Sequence, residues 1–243
     1  MKAVTHDSIS LRGAGIVNIT QPKKGARFTL DSIILADFCR IKPRDVILEP
    51  GTGTGIVAIL LAKKFPDVTI TSIEIQGALA ELCRNNITQN RLEERIHLIE
   101  QDIRQLKSFL TPLLFDAIVV NPPYRIQGTG KLSPHQSRQL SRHDDLASIE
   151  NWLDLHIFLK NKARFILVFP AERLPDIIAG LRSRQLEPKR MRLVHPYRDK
   201  TASLVLVEAV QSAGSGLEVL APLVIHESPG VYTMEMRKIY DLF

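Results

Sequence analysis

Apolar positions along this chain follow two alternating periods. Short β-branched runs recur at Asp45-Val46-Ile47-Leu48, Val68 to Ile73, Ile96-His97-Leu98-Ile99 and Phe115-Asp116-Ala117-Ile118-Val119-Val120, and each predicts a buried strand. Between them, Ile56 to Lys64 predicts an apolar helix, and Gln76 to Gln89 keeps helical spacing through Leu79, Leu82, Cys83 and Ile87. Arg27 to Phe38 predicts a helix ahead of the first of these strands, with Thr29 as N-cap and Leu30, Ile33, Ile34 and Phe38 on one face. Downstream the pattern predicts a helix over Ser148 to Lys162, a strand over Arg164 to Phe169 and a helix over Leu174 to Gln185. Two more strands follow at Arg190 to Val194 and Ala202 to Val210, then a β-prone run over Leu217 to Ile225 and an amphipathic end to Phe243. Near the start, Ser8-Ile9-Ser10-Leu11 and Gly15 to Ile19 predict a small hairpin turned by Gly13 and Gly15. Strands alternating with helices at this spacing imply βαβ units, hence an α/β fold with a mostly parallel sheet and helices on both faces.

The polar interruptions carry the chemistry. The run that ends at Val120 is followed by Asn121-Pro122-Pro123-Tyr124. Two prolines stop sheet pairing and stiffen the turn. The Asn121 side chain and the carbonyls of Asn121 and Pro122 are then presented at a strand's carboxyl end, where open α/β sheets bind ligands. Two acceptors beside the flat face of Tyr124 suit a planar group that carries an NH2, such as a nucleobase or a carboxamide. As simple loop punctuation the same four residues would mean only a turn.

Upstream lies the strongest strand–turn–helix, with Glu49-Pro50-Gly51-Thr52-Gly53-Thr54-Gly55 as its turn. Glycines at every second position let the backbone approach a ligand closely, and the helix that follows offers free N–H groups. A pyrophosphate-binding dinucleotide loop is the nearest competitor, but Glu49 would repel pyrophosphate and suits a cationic or amino-bearing ligand. Glu74 ends the next strand, about twenty residues on, where an acid can accept from ribose hydroxyls. Asp102 ends the third.

Four motifs in this order resemble those of class I S-adenosylmethionine-dependent methyltransferases. The resemblance implies a Rossmann-like fold with a seven-stranded sheet and an N-terminal hairpin extension. Glu49, Gly51, Thr52, Gly53 and Gly55 would line the cofactor, Glu74 with Ile75 its ribose, and Asp102 with Ile103 its adenine. Asn121, Pro122, Pro123 and Tyr124 would be catalytic, with Asn121 also touching the cofactor. In such enzymes Asn-Pro-Pro-Tyr goes with planar amino nitrogens, whose lone pair is delocalised. Acceptors on both N–H groups can draw the hydrogens out of plane and direct lone-pair density at the methyl carbon, so alignment replaces a strong general base. Tyr124 would stack on a flipped-out base.

Further segments resemble the bacterial tRNA1(Val) adenine-N6 methyltransferase family: Gln21 to Ser32, Ser141-Arg142-His143-Asp144, Glu187 to Pro196, and Gly230-Val231-Tyr232-Thr233 with Glu235. This likeness spans nearly the whole chain. It implies one methyltransferase domain over 1–243, made of an extension (1–25), a catalytic core (26–210) and a C-terminal strand and tail (211–243). It also implies cofactor contacts from Arg27, Thr29 and Asp31, and methylation of the adenine 3′ of the anticodon. A glutamine-N5 methyltransferase acting on a release factor would use the same four residues, but that family usually carries a separate helical N-terminal domain that residues 1–25 are too short to supply. A non-catalytic RNA-binding module would not need an intact Asn121 and Tyr124.

Bulk properties fit this picture without deciding it. The chain has 243 residues, 44% hydrophobic and 24% charged, ordinary for a globular protein. No run approaches membrane-span length and no signal-like segment opens the chain, so a cytoplasmic protein is expected. Cys39 and Cys83 form no metal-type spacing, and reduced, partly buried thiols are expected, with no metal. The net charge of +6 is compatible with a polyanionic partner such as tRNA. The polar stretch Arg125 to His143 and the basic segment Arg182 to Lys200 supply candidate phosphate contacts, namely Arg138, Arg142, Lys189, Arg190 and Arg192. The sequence sets no oligomeric state; a monomer is compatible with it.

Overall fold

The computed structural model describes residues 3–24, 27–122 and 149–241. Strands β1 (Val4–Leu11) and β2 (Gly15–Pro22) form the expected hairpin as a separate two-stranded sheet. The main sheet is built on seven strands in the order β5–β4–β3–β6–β7–β9–β8. These are β3 (Val46–Pro50), β4 (Thr69–Glu74), β5 (Ile96–Glu100), β6 (Phe115–Val120), β7 (Leu159–Pro170), β8 (Leu186–Tyr197) and β9 (Leu204–Gln211). All but β9 run parallel. Three short strands widen the sheet beyond the seven expected. β10 (Glu218–Val219) and β11 (Leu223–Ser228) each pair in parallel with β8, and β12 (Val231–Tyr232) closes the edge against β11. The single β-prone run expected over Leu217 to Ile225 is therefore two strands.

Helices cover both faces. On one, α1 (Leu30–Phe38), α2 (Ile56–Lys64) and α3 (Gly77–Gln89) share a core with the hairpin. On the other, residues 149–158 pack with a helix over Leu174–Ser183. Residues 149–153 are helical (α4), which makes Leu174–Ser183 α5 and the terminal Met234–Ile239 α6.

The helix expected over Ser148–Lys162 is much shorter. A 3-10 turn spans Asp154–Phe158, and β7 already begins at Leu159. The apolar spacing of Trp152, Leu155 and Phe158 reads as helical, but the backbone is claimed by β6. Leu113 and Leu114 donate their N–H groups to the carbonyls of Ile157 and Phe158, at 3.2 and 2.9 Å, and Leu159 pairs with Phe115. Tertiary hydrogen bonding overrides local periodicity here.

The hairpin is fastened through side chains that imitate a strand. Asn86 Oδ1 accepts from the Thr20 N–H at 2.7 Å, and its Nδ2 donates to the Thr20 carbonyl at 2.9 Å. One helical turn on, Asn90 does the same with the N–H and carbonyl of Asn18, at 3.3 and 2.7 Å. Residues four apart on a helix rise about 6 Å, close to the spacing of every second residue in a strand, so two asparagines satisfy an open strand edge. Asn86 Nδ2 also donates to the Thr54 carbonyl at 2.9 Å, which joins the hairpin to the glycine turn.

Arg190 corrects one expectation. Its side chain is 6% exposed, 2.7 Å from Glu208 and from the Phe38 carbonyl, with its guanidinium 3.9 Å from the Phe38 ring centroid. It is a buried ion pair inside the α1-side core, out of reach of a phosphate. Removing one partner of such a pair strands a buried charge, so Arg190→Ala should lower the unfolding free energy by about 3 kcal/mol or more. Replacing both partners by apolar residues should recover most of that loss. Chemical denaturation of the single and double variants checks this; a cost near zero for the single variant would mean a solvated pair.

Candidate active site

The sheet order reverses between β3 and β6. β4 and β5 extend from one side of β3, β6 and β7 from the other, and the turns that follow β3 and β6 lead to opposite sides. The crevice at the carboxyl ends of these two strands is where doubly wound sheets bind ligands. The Glu49–Gly55 loop and Asn121 both lie there, one strand spacing apart, about 5 Å.

The glycine loop is tied down on one side and open on the other. The Thr52 N–H donates to the Ile73 carbonyl at 2.9 Å, and the Gly53 N–H to Glu74 Oε2 at 2.9 Å. Gly53 has φ 60°, and a Cβ built there meets nothing within 4 Å, so it faces an open approach. At Gly51 the reason for glycine is different: a Cβ would lie 2.5 Å from the Trp152 indole, which covers the loop from α4.

Three acids end three neighbouring strands, as expected. Glu74 is 4% exposed and also accepts from the Gln76 N–H at 2.8 Å; each of its oxygens keeps a lone pair for a hydroxyl. Glu49 is 3% exposed and accepts from the Ser72 hydroxyl at 3.1 Å. Burial pushes its carboxyl up to about 8, and the charge of Glu74 adds to the shift against the Ser72 hydrogen bond. Asp102 caps a 3-10 turn over Ile103–Ser108 and holds Arg104 through both oxygens, which keeps its carboxyl below the usual range. Ile75 is 58% exposed beyond β4, and Ile103 is partly buried beyond β5.

Asn121 follows β6 directly. Its Nδ2 donates to the hydroxyl of Ser32 at 3.0 Å. Pro122 is buried. Pro123, Tyr124, Arg138 and Arg142, with the whole Arg125–His143 stretch, lie outside the described residues. Thr29 is the N-cap of α1, though without a side-chain capping bond, and desolvation raises the Asp31 carboxyl in the first turn. Arg27 is drawn to the hairpin, donating to Thr5 Oγ1 at 2.8 Å and the Pro22 carbonyl at 3.0 Å.

The basic segment is mostly paired internally. Lys189 donates to the carbonyls of Gly214 and Ser215 at 3.2 Å each. Arg192, whose side chain is 16% exposed, donates to the Ala221 carbonyl and pairs with Glu235. Lys189 sits in the amino half of β8, whereas Arg192 lies just past its middle; β8 runs parallel to β6, and pairing through β7 and β9 puts Met191 level with Val120, so Arg192 is level with Asn121 three strands away. Sequence reasoning missed Ser32, Trp152, Ser72 and Asn86 as parts of the site. Their partners lie 23 to 101 residues away, and no local pattern marks them.

Residues 25–137 match the Methyltransferase small domain (MTS) family. The chain is 32% identical over 166 residues to a tRNA1(Val) (adenine(37)-N6)-methyltransferase of Bacteroides fragilis, covering 68% of each chain. It is 28% identical over 222 residues to the protein of that name from Vibrio campbellii, covering 90% of each. The crystal structure of a predicted O-methyltransferase from Agrobacterium tumefaciens matches with a TM-score of 0.69 at 20% identity, over 87% of this chain and 95% of that one. The fold is the Rossmann-like class I methyltransferase fold.

The buried Glu49 gives a pH signature. Its carboxyl titrates near 8 when folded and near the ordinary 4.5 when unfolded. Between those values the folded state holds a proton that the unfolded state has lost, so this group makes stability fall as pH rises. Denaturation of the ligand-free protein and of Glu49→Gln across that window should show the substituted protein losing less stability with pH. Parallel curves would overturn the assignment.

Proposed function

This chain belongs to the tRNA1(Val) (adenine(37)-N6)-methyltransferase family, and on that premise we propose that it transfers a methyl group from S-adenosylmethionine to N6 of the adenine 3′ of the anticodon. The observation that carries this reading is the placement of the Asn121 amide at the sheet's switch point, one strand from the glycine loop.

The residues present fit the cofactor. The open approach at Gly53 admits a close ligand, and the buried carboxyls of Glu49 and Glu74 flank it with acceptors. Glu49 would face the amino-acid ammonium, which restores its ionised form. Glu74 would take the ribose hydroxyls, while Ile75, Asp102 and Ile103 would border the adenine. Thr52 and Asp31 would complete this lining. Gly51 and Gly55 would shape the turn, and Arg27 and Thr29 are proposed as further cofactor contacts. S-adenosylmethionine, when bound, supplies a methyl carbon activated by a sulfonium leaving group.

The acceptor side is this chain's own. The Asn121 Oδ1 and the Pro122 carbonyl would each accept one N6 hydrogen and turn the nitrogen lone pair toward the methyl carbon. Pro123 would stiffen that turn, and Tyr124 would stack on the base. Arg138 and Arg142 remain proposed contacts to tRNA phosphates. Among the described residues no helix is long and apolar enough to cross a membrane.

The decisive test pairs the purified protein with labelled S-adenosylmethionine and total bacterial tRNA or total protein. The expected product is N6-methyladenosine in tRNA; methyl-glutamine in protein would overturn the reading. Asn121→Ala should reduce transfer by about a hundredfold or more while cofactor affinity stays close to wild type. Binding of tRNA should weaken steeply with salt, and Arg138→Ala or Arg142→Ala should each lower the slope by about one. An unchanged slope would return those residues to a solvated surface.

A further inference from the structure

The basic segment Arg182–Lys200 turns Lys189, Arg190 and Arg192 toward internal partners, but its last residues rise clear of the sheet. Pairing of β7 with β9 ends at Pro170 and Leu204, and pairing of β9 with β8 ends at Leu204 and Val194. Beyond that level β8 continues through His195, Pro196 and Tyr197, held only by β11. Arg192 is level with Asn121, so Tyr197 stands five residues further toward the carboxyl side, about 16 Å at strand rise. Three strand spacings separate β8 from β6, about 14 Å. The end of β8 is therefore a wall beside the crevice, with its tip about 20 Å from Asn121.

This wall is braced. Tyr197, His226 and Tyr232 are register partners across β8, β11 and β12. Their rings form a cross-strand row, with centroids 5.5 Å apart for the first pair and 5.0 Å for the second, and Tyr240 of α6 adds a fourth ring 5.4 Å from Tyr232. The turn at the tip is fixed as well. The Lys200 N–H donates to the Tyr197 carbonyl at 3.1 Å, and His195 Nδ1 donates to the Lys200 carbonyl at 2.8 Å. The Ser203 N–H returns to the Val194 carbonyl at 2.9 Å.

That turn presents Arg198 and Lys200 to solvent. Arg198 is exposed and makes no ion pair among the described residues. Lys200 lies 3.3 Å from Asp199, with both side chains more than half exposed, and a pair so solvated does little to hold the ammonium back from another anion. Asp199 and Glu227, the acids beside the tip, are both exposed.

We propose that the turn at the end of β8 docks the tRNA backbone that flanks the target base, with Arg198 and Lys200 each pairing with a phosphate. The proposal rests on the tRNA reading above for its partner. A base held at Asn121 leaves its own backbone outside the crevice, and that backbone carries a negative charge at every nucleotide. Followed toward β8, it meets the raised cations a few nucleotides away. Cations on a turn that is already fixed lose less freedom on binding than cations on a loose loop.

The test measures binding of an unmodified tRNA1(Val) transcript across a range of salt. Arg198→Ala/Lys200→Ala should weaken binding by about tenfold and lower the salt slope by about two. Lys42→Ala/Arg44→Ala removes the same charge from exposed positions ahead of β3, at the opposite edge of the sheet, and should leave the slope unchanged. A short single strand with only the target adenine and its immediate neighbours does not reach the tip, so its affinity should be the same for wild type and Arg198→Ala/Lys200→Ala. The cofactor dissociation constant should stay within about twofold in every variant, which shows that the fold is intact. Equal losses in the two double variants, an unchanged slope at the tip, or an equal loss for the short strand would overturn the docking surface. A wild type that binds no tRNA would overturn both this proposal and the reading it rests on. If the tip governs tRNA binding but the labelled product is not N6-methyladenosine, the adenine reading fails and the docking surface stands.

Discussion

Parallel pairing of β3 with β6, through Ile47 opposite Ala117 and Leu48 opposite Ile118, is the constraint on which the site depends. It sets two strands that are far apart in sequence side by side and pointing the same way. Their carboxyl ends then deliver different chemistry to one crevice. β3 brings the glycine loop and Glu49, and β6 brings Asn121. A slip of one residue would move each side chain to the other face of the sheet, so the apolar pattern of both strands also secures the register. Ile47 and Ala117 face one core, Leu48 and Ile118 the other, and all four are fully buried.

Around that crevice, buried polar groups act mainly to position one another. Asn86 links the hairpin to the Thr54 carbonyl, Ser72 holds Glu49, Glu74 receives the Gly53 N–H, and Ser32 holds Asn121. Burial of the Glu49 carboxyl disfavours its ionised form.

Much of the fold was legible because strand and helix periods do not depend on distant partners. The four strands before Asn121 and the helices between them follow from β-branched runs and from the spacing of Leu79, Cys83 and Ile87. The glycine loop and the acids Glu49, Glu74 and Asp102 were legible for a related reason: each stands at a strand's end, a position that short-range pattern locates. Misreadings came where long-range pairing competes with local preference. Residues 159–162 read as helix and are strand because β6 supplies the partner. Arg190 reads as part of a basic face and is buried because β9 brings Glu208 beside it.

By itself, then, the sequence determined the α/β alternation, the glycine turn, the acids at strand ends and the presence of Asn-Pro-Pro-Tyr, since all of these are written in residue type and short spacing. The tertiary structure alone decided which groups meet. Charge along a chain does not say whether a side chain faces solvent or a buried acid; sheet pairing does, and it turned Arg190 inward. Nor does a serine in a helix's first turn show what it touches. Ser32 reaches Asn121 only because α1 packs on the sheet beside the carboxyl end of β6, and a hydrogen bond acts over about 3 Å regardless of the 89 residues that separate its partners along the chain.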